Sequence, residues 1–283
     1  MVTPDFKTLM TRLGITRILG IISNCICFSL MASMGVYNFS FWTWCLFTWS
    51  FSFCTTFLIL ILELFSLNQR LPISWNDFTA AFSIVATLMV FATSVIMSVF
   101  FAKFGYAKFI AATAISFFSF GLHCDEIIYI WKQSDEISGF LSSIPGLLKI
   151  IEAFVACVIF ICLDFSPYPF YPGLQWCVAV YSICFIFAMF FIITTIGRLQ
   201  SWLPVPIDKV MLVCNVLAVV MYMTAVIIWP VYSFRNFSSS DCPTLAFCPW
   251  KLIIVITFMT CFNFVAYIVD LVYSLRQHFF SQS

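Results

Sequence analysis

The sequence predicts an all-α integral membrane protein with eight transmembrane helices. Its 283 residues are 63% hydrophobic and 9% charged, whereas a soluble domain carries about 25% charged residues. Eight apolar runs are long enough to cross a bilayer as helices, which takes about 20 residues each. The formal net charge of +1 gives no reason to expect a nucleic-acid partner.

The eight apolar runs are separated by short polar connections. They cover 18–37, 44–66, 78–100, 109–131, 147–165, 174–196, 210–229 and 251–273. The first run follows Lys7, Arg12 and Arg17, as the apolar region of a signal peptide follows its basic region. It is too long for such a region and has no small-x-small cleavage site before Gly35, so we expect an uncleaved first span.

The placement of Lys and Arg predicts the topology, because cytoplasmic loops are enriched in both. With the N-terminus inside, nine of the 13 fall on the inner side: Lys7, Arg12, Arg17, Arg70, Lys132, Lys149, Arg198, Lys209 and Arg276. The outer side then has Lys103, Lys108, Arg235 and Lys251. Both termini are therefore predicted to be cytoplasmic.

Two dipeptides recur at a constant offset of 132 residues. Trp44-Cys45 recurs at Trp176, and Leu71-Pro72 recurs at Leu203. The offset indicates two tandem four-helix units, which an even number of helices makes parallel in the membrane. The predicted segments are a cytoplasmic N-terminus (1–17), the first unit (18–132), a cytoplasmic linker (133–146), the second unit (147–276) and a cytoplasmic tail (277–283).

The fourth and eighth spans also match, at an offset of 144 because the last outer loop is longer. LHCDEIIYIWK and AYIVDLVYSLR each contain an acid, a tyrosine and a base at the same spacing. The matched pairs are Glu126 with Asp270, Tyr129 with Tyr273, and Lys132 with Arg276.

Five acids are predicted within spans, each in the third nearest the cytoplasm: Glu63, Asp125, Glu126, Glu152 and Asp270. Lys132 and Arg276 each follow a matched acid by six residues, about 9 Å along the axis, within reach of a snorkelling base. Lys149 and Glu152 are three apart on one helical face. We interpret all eight residues as charge anchors at the inner interface. A proton- or cation-coupling site and a cavity for a lipid headgroup or partner remain open.

The residues give no pattern for catalysis, a cofactor or a metal. His123, Cys124, Asp125 and Glu126 are consecutive, and consecutive side chains on a helix do not converge. The other histidine, His278, lies in the tail. We therefore expect no catalytic, cofactor-binding or metal site, and no enzyme.

The last outer loop contains two predicted modifications. Cys242 and Cys248, in SSSDCPTLAFCPW, face the oxidising side and are predicted to form a disulfide bond. Asn236 begins an Asn-x-Ser sequon and is the better glycosylation candidate. Asn38 begins another sequon but lies too close to the first span.

Five segments resemble the myeloid-associated differentiation marker family: FTWSFSFCTTFLILILEL, LPISWNDF, PGLLKIIEAFVACVIF, QWCVAVYSICFIFA and AVIIWPVY. The resemblance covers nearly the whole chain and implies two tandem MARVEL domains of four helices each. It implies a non-enzymatic protein of plasma or vesicle membranes. Such a protein would organise cholesterol-rich domains (lipid rafts), vesicle trafficking or membrane apposition. Its expected partners are membrane lipids, cholesterol among them, and other membrane proteins, and a homo-oligomer stays open.

The alternative function is a small-solute or proton-coupled transporter that uses Glu63, Glu126, Glu152 and Asp270. The surroundings of these acids discriminate between the two. Acids around one water-accessible cavity favour transport, whereas acids paired with bases at the inner interface favour anchoring.

Overall fold

A computed structural model describes residues 6–35, 37, 39–71, 73, 75–133, 144–166, 168–196, 207–236 and 249–280. Within these ranges the regular secondary structure is entirely helical. The long helices are α1 (Arg12–Ala32), α2 (Ser40–Leu64), α3 (Trp75–Ile96), α4 (Ala107–Gln133), α5 (Ile144–Cys162), α6 (Pro172–Ile196), α7 (Ile207–Asn236) and α8 (Pro249–Phe280). All eight are long and apolar enough to cross a membrane, which confirms the predicted fold class.

Helix α1 begins six residues before the predicted start of the first span. The Thr11 hydroxyl accepts a hydrogen bond from the Gly14 backbone N–H at 3.0 Å and so caps the helix at Arg12. Such a cap satisfies one of the donors that a helix start leaves free. Arg17, which we expected to precede the span, is therefore a residue of the helix.

The chain divides into two compact units, 1–139 and 140–283. In the first, α1 packs against α2 and α4, and α3 completes the ring by contacting both α2 and α4. In the second, α5 packs against α6 and α8, and α7 completes the ring in the same way. Each unit is thus a four-helix bundle with the same helix order, as the repeated motifs predict.

Polar side chains lie in the interior of each bundle, and many large apolar side chains lie on its surface. Buried Ser, Thr and Asn side chains lie between the helices, and several hydroxyls bond to the carbonyl four residues earlier, as Thr87 does to Ser83 at 2.7 Å. Large apolar side chains face outward, among them Ile186 on α6 (61% exposed) and Phe258 on α8 (64% exposed). This pattern is typical of a helix bundle surrounded by lipid. Apolar side chains on the surface contact the lipid tails, and polar groups form hydrogen bonds inside the bundle because the lipid offers none.

One end of the first bundle is closed by aromatic side chains. Trp42, at the start of α2, contacts Tyr37 and Phe101 with ring centroids 4.7 and 5.6 Å away. Phe101 in turn contacts Phe109 of α4 at 5.6 Å. The ion pairs Arg12–Asp125, Arg17–Glu63 and Arg17–Glu126 lie at the opposite end, near the start of α1 and the ends of α2 and α4.

Candidate functional site

A buried arginine joins three helices of the first bundle. Arg17 of α1 donates from Nε to Glu126 Oε1 of α4 at 2.7 Å, and from Nη1 to Glu63 Oε2 of α2 at 2.5 Å. The Arg17 and Glu126 side chains are 1% and 2% exposed. We call Arg17, Glu63 and Glu126 the first ion cluster. The planar guanidinium presents several donors in a fixed fork, which lets one side chain serve two carboxylates.

Neighbouring polar groups extend the first ion cluster along α1 and α4. His123 Nδ1 lies 3.7 Å from Glu126 Oε2, and His123 Nε2 lies 3.4 Å from the Asn24 amide nitrogen. The Ser119 hydroxyl donates to Asn24 Oδ1 at 2.8 Å. Buried polar side chains of α1 and α4 therefore contact one another along the interface between the two helices.

Another ion pair lies beside the first ion cluster and is exposed at the surface of the bundle. Arg12 contacts Asp125, and the Thr16 hydroxyl donates to Asp125 Oδ2 at 3.3 Å. The Arg12 and Asp125 side chains are 63% and 34% exposed. Asp125 and Glu126 are adjacent in sequence, yet one pairs at the rim of the bundle and the other in its interior.

A buried lysine has the corresponding place in the second bundle. Lys149 Nζ of α5 lies 2.8 Å from Glu152 Oε2 and 2.7 Å from Asp270 Oδ2 of α8. It also donates to Asn215 Oδ1 of α7 at 2.7 Å. The Tyr267 ring lies 5.2 Å from the ammonium, at the distance of a cation–π contact. We call Lys149, Glu152 and Asp270 the second ion cluster.

Two asparagines complete the polar interior of the second bundle. The Asn215 amide donates to Asp270 Oδ2 at 2.9 Å and to the Ser274 hydroxyl at 3.0 Å. The Asn263 amide donates to the Tyr222 hydroxyl at 2.7 Å. The amides thus connect α7 to α8 beside the ion cluster.

The two ion clusters correspond through the internal duplication. Arg17 and Lys149 are 132 residues apart, the offset of the repeated dipeptides, and Glu126 and Asp270 are 144 apart. In each unit a base near the start of the first helix therefore binds an acid near the end of the fourth. The second acid differs, because Glu63 comes from α2 whereas Glu152 comes from α5 itself.

Two predicted pairings are wrong. In the described part of the chain no ion pair joins Glu126 to Lys132 or Asp270 to Arg276, and both bases are exposed. Six residues correspond to about 240° around a helix, so these side chains point away from each other. Both acids are buried, Glu126 with 2% and Asp270 with 0% of its surface exposed.

One predicted pairing is confirmed, that of Lys149 with Glu152. Arg17, the base that Glu126 does bind, is absent from the predicted anchors. The offset of 132 residues was the signal that could have found it, since it aligns Arg17 with Lys149 inside the fifth span. The role of these residues as anchors stays a prediction.

The predicted modification sites lie at the edge of the described structure or outside it. Asn236 is the exposed last residue of α7, and its amide donates to the Tyr232 carbonyl at 2.7 Å. Cys242, Cys248 and Asn38 lie outside the described residues. Among the residues that the structure describes, no group of three or more His, Cys, Asp or Glu is placed to hold a metal ion.

Comparisons with known proteins agree with the duplicated architecture. The MARVEL family, described as a membrane-associating domain, matches residues 8–128 and again residues 140–273. The human protein named myeloid-associated differentiation marker is 35% identical over 291 residues, which cover 97% of this chain and 90% of that protein. The myeloid-associated differentiation marker homolog of Xenopus laevis is 34% identical over 97% of this chain and 95% of its own length.

A further relative is the myeloid-associated differentiation marker-like protein 2 of Rattus norvegicus, 34% identical over 94% of this chain and 92% of its own. No solved structure matches. The two family matches fall on the two bundles, and the resemblance of the quoted segments is confirmed over almost the full length. The chain therefore belongs to the myeloid-associated differentiation marker family of tandem MARVEL membrane proteins.

Proposed function

We propose that this protein organises cholesterol-rich domains of the plasma membrane or of vesicle membranes, without catalysing a reaction. The observation that carries the proposal is the combination of long helices with an outward-facing apolar surface. Helix α2 has 25 residues and so extends about 37 Å at 1.5 Å per residue. Helices α6 and α8 have 25 and 32 residues.

The length of these helices favours a thick bilayer. A sterol- and sphingolipid-rich plasma membrane has a hydrocarbon core of about 32–33 Å, a few Å more than an average bilayer. A long apolar helix in a thin bilayer must tilt or deform the lipid, at a cost of a fraction of a kcal/mol per Å. Several such helices in one protein add these costs, so the protein is expected to collect in, and stabilise, cholesterol-rich regions.

The contacts of the acids favour this role over the alternative of a transporter. Glu126, Glu152 and Asp270 are each at most 2% exposed and each contacts a base of the same bundle. A coupling site for transport needs acids that water or solute can reach from a cavity. Acids that pair with bases between helices instead fix how the helices pack. Roles in vesicle trafficking and membrane apposition rest on the family resemblance and would follow from such an organiser.

The test is the distribution of the fluorescently labelled full-length protein in giant vesicles that contain cholesterol-rich and cholesterol-poor phases. We expect enrichment in the cholesterol-rich phase, because it is the thicker one. A second set of vesicles should make the cholesterol-poor phase equally thick by using longer acyl chains, and the enrichment should then fall. Exclusion from the cholesterol-rich phase in both sets would refute the proposal.

Partners can be tested in cells. Proximity labelling from the full-length protein, before and after cholesterol depletion, should capture membrane proteins whose labelling decreases on depletion. Self-labelling of a second, differently tagged copy would indicate a homo-oligomer. A neighbour set that is unchanged by depletion would count against a role that depends on cholesterol.

A further inference from the structure

The second ion cluster has more acids than bases. Glu152 and Asp270 are both fully buried, and among the described residues Lys149 is the one base in contact with either. The other titratable groups around Glu152 in the described structure are neutral side chains. They are Cys184 of α6, Tyr222 of α7 and Tyr267 of α8. With both acids ionised, the cluster would hold one uncompensated negative charge in the interior of a membrane bundle, which is costly.

The first ion cluster differs from the second in its surroundings. It too has two acids and one permanent base, but the Glu63 side chain is 16% exposed and His123 Nδ1 lies 3.7 Å from Glu126 Oε2. Through the offset of 144 residues, Tyr267 has the position of His123 in the second bundle. In the described structure the second cluster therefore has neither a partly exposed acid nor a histidine beside it, and its excess negative charge must be balanced in another way.

Unpaired acceptor atoms of the second cluster indicate how that charge is balanced. In the described part of the chain, Glu152 Oε1 and Asp270 Oδ1 are buried and have no hydrogen-bond partner. The two carboxyl groups lie side by side, because Glu152 Oε2 and Asp270 Oδ2 both contact Lys149 Nζ, at 2.8 and 2.7 Å. Two ionised carboxylates accept hydrogen bonds only, whereas a protonated carboxyl also donates one. A single proton shared by the two carboxyl groups would supply the missing donor and remove the excess charge.

The hydrogen bonds of the two acids differ and assign the proton. Asp270 Oδ2 receives donors from Lys149 and from Asn215 at 2.7 and 2.9 Å. Among the described residues, Lys149 is the one donor to Glu152 Oε2, at 2.8 Å. The acid with more donors is better stabilised as a carboxylate. We propose that the second ion cluster binds one proton at neutral pH, held by Glu152 and donated in a hydrogen bond to Asp270.

The proton comes from water when the bundle forms, and it leaves a neutral cluster of one ammonium, one carboxylate and one carboxylic acid. The site is independent of the proposed role in organising membranes. A small cation such as Na⁺ is the competing ligand. It would have to share the space between the carboxylates with the Lys149 ammonium, which already contacts both acids and Asn215.

Infrared spectroscopy of the full-length protein tests the proposal directly. In a detergent without ester groups at pH 7, we expect the carbonyl band of a protonated carboxylic acid, shifted by exchange into D₂O. The band should disappear in Glu152→Gln. It should also disappear in Asp270→Asn, because Glu152 must then ionise to balance Lys149. Glu126→Gln, which changes the corresponding acid of the first bundle, should keep the band and is the matched control.

Thermal unfolding of the same variants is the second measurement. One carboxylate suffices for Lys149, so Glu152→Gln and Asp270→Asn should each melt close to the wild type. The double variant leaves the ammonium unpaired and should melt far below both, a strong non-additivity. Absence of the carboxylic acid band in the wild type would overturn the proposal, and so would its persistence in Glu152→Gln. If the wild-type protein lacks the carboxylic acid band and its melting temperature falls when choline replaces sodium in the buffer, the site binds Na⁺ instead of a proton.

Discussion

Replacement of Arg17 by methionine should destabilise the first bundle more than any change to its surface charges. The variant removes two charge-assisted hydrogen bonds, to Glu126 and to Glu63, and leaves both carboxylates without their base. Hydrogen bonds to charged groups are worth about 1.5–3 kcal/mol each. Breaking a buried ion pair by removing one partner costs about 3–5 kcal/mol. Because Glu63 is partly exposed, 16% at its side chain, we expect about 4 kcal/mol.

For a bundle of this size, about 4 kcal/mol corresponds to a decrease in melting temperature on the order of 10 °C. The assay is fluorescence-detected thermal unfolding of the full-length protein in nanodiscs, with the yield of monodisperse protein as a second readout. Arg12→Met is the matched control, because Arg12 lies on the same helix and pairs with Asp125, but is 63% exposed. An exposed pair is worth about 0–1 kcal/mol, so this control should melt close to the wild type.

A triple variant separates the loss of charge balance from the loss of packing. Arg17→Met combined with Glu63→Gln and Glu126→Gln removes the base together with the two acids it serves. Replacing a whole buried ion cluster by neutral side chains is often close to neutral for stability. We expect the triple variant to recover more than half of the lost stability. The reasoning is refuted if Arg17→Met and Arg12→Met have the same melting temperature, or if the triple variant is no more stable than Arg17→Met.

Three further predictions concern topology, the outer loop and the first helix. Epitope tags at either terminus should be detected only after permeabilisation, because both termini are predicted to be cytoplasmic; staining of intact cells would contradict this. Cys242 and Cys248 should resist alkylation until reduced, and their disulfide should contribute about 2 kcal/mol; labelling of both without reduction would exclude the bond. Gly14→Ala should lower the melting temperature, because its Cβ would lie 2.4 Å from the Thr8 carbonyl oxygen. Gly20→Ala, whose Cβ meets nothing within 4 Å, should be neutral or stabilising by up to about 1 kcal/mol; equal melting of the two glycine variants would contradict the packing at Gly14.

The sequence determined the number and kind of elements in this protein. A run of about 20 apolar residues can satisfy its backbone in lipid only as a helix or in a closed barrel, so eight such runs led directly to eight helices. The repeated dipeptides at Trp44 and Trp176 likewise revealed the duplication, because each lies at the start of the second helix of its unit. These properties are local, and each can be found from one stretch of chain or from the comparison of two.

Only the tertiary structure decided which base serves which acid. Spacing along one helix suggested Lys132 for Glu126, but the helical rotation turns these two side chains apart. The base that Glu126 binds is Arg17, 109 residues earlier in the chain and on another helix. Which faces of two helices meet depends on how all four pack around their common axis, and no local pattern in the sequence determines that rotation. Within the described residues, the single base between the two acids of the second bundle became visible only when the helices were brought together, and the proton that we propose on Glu152 depends on it.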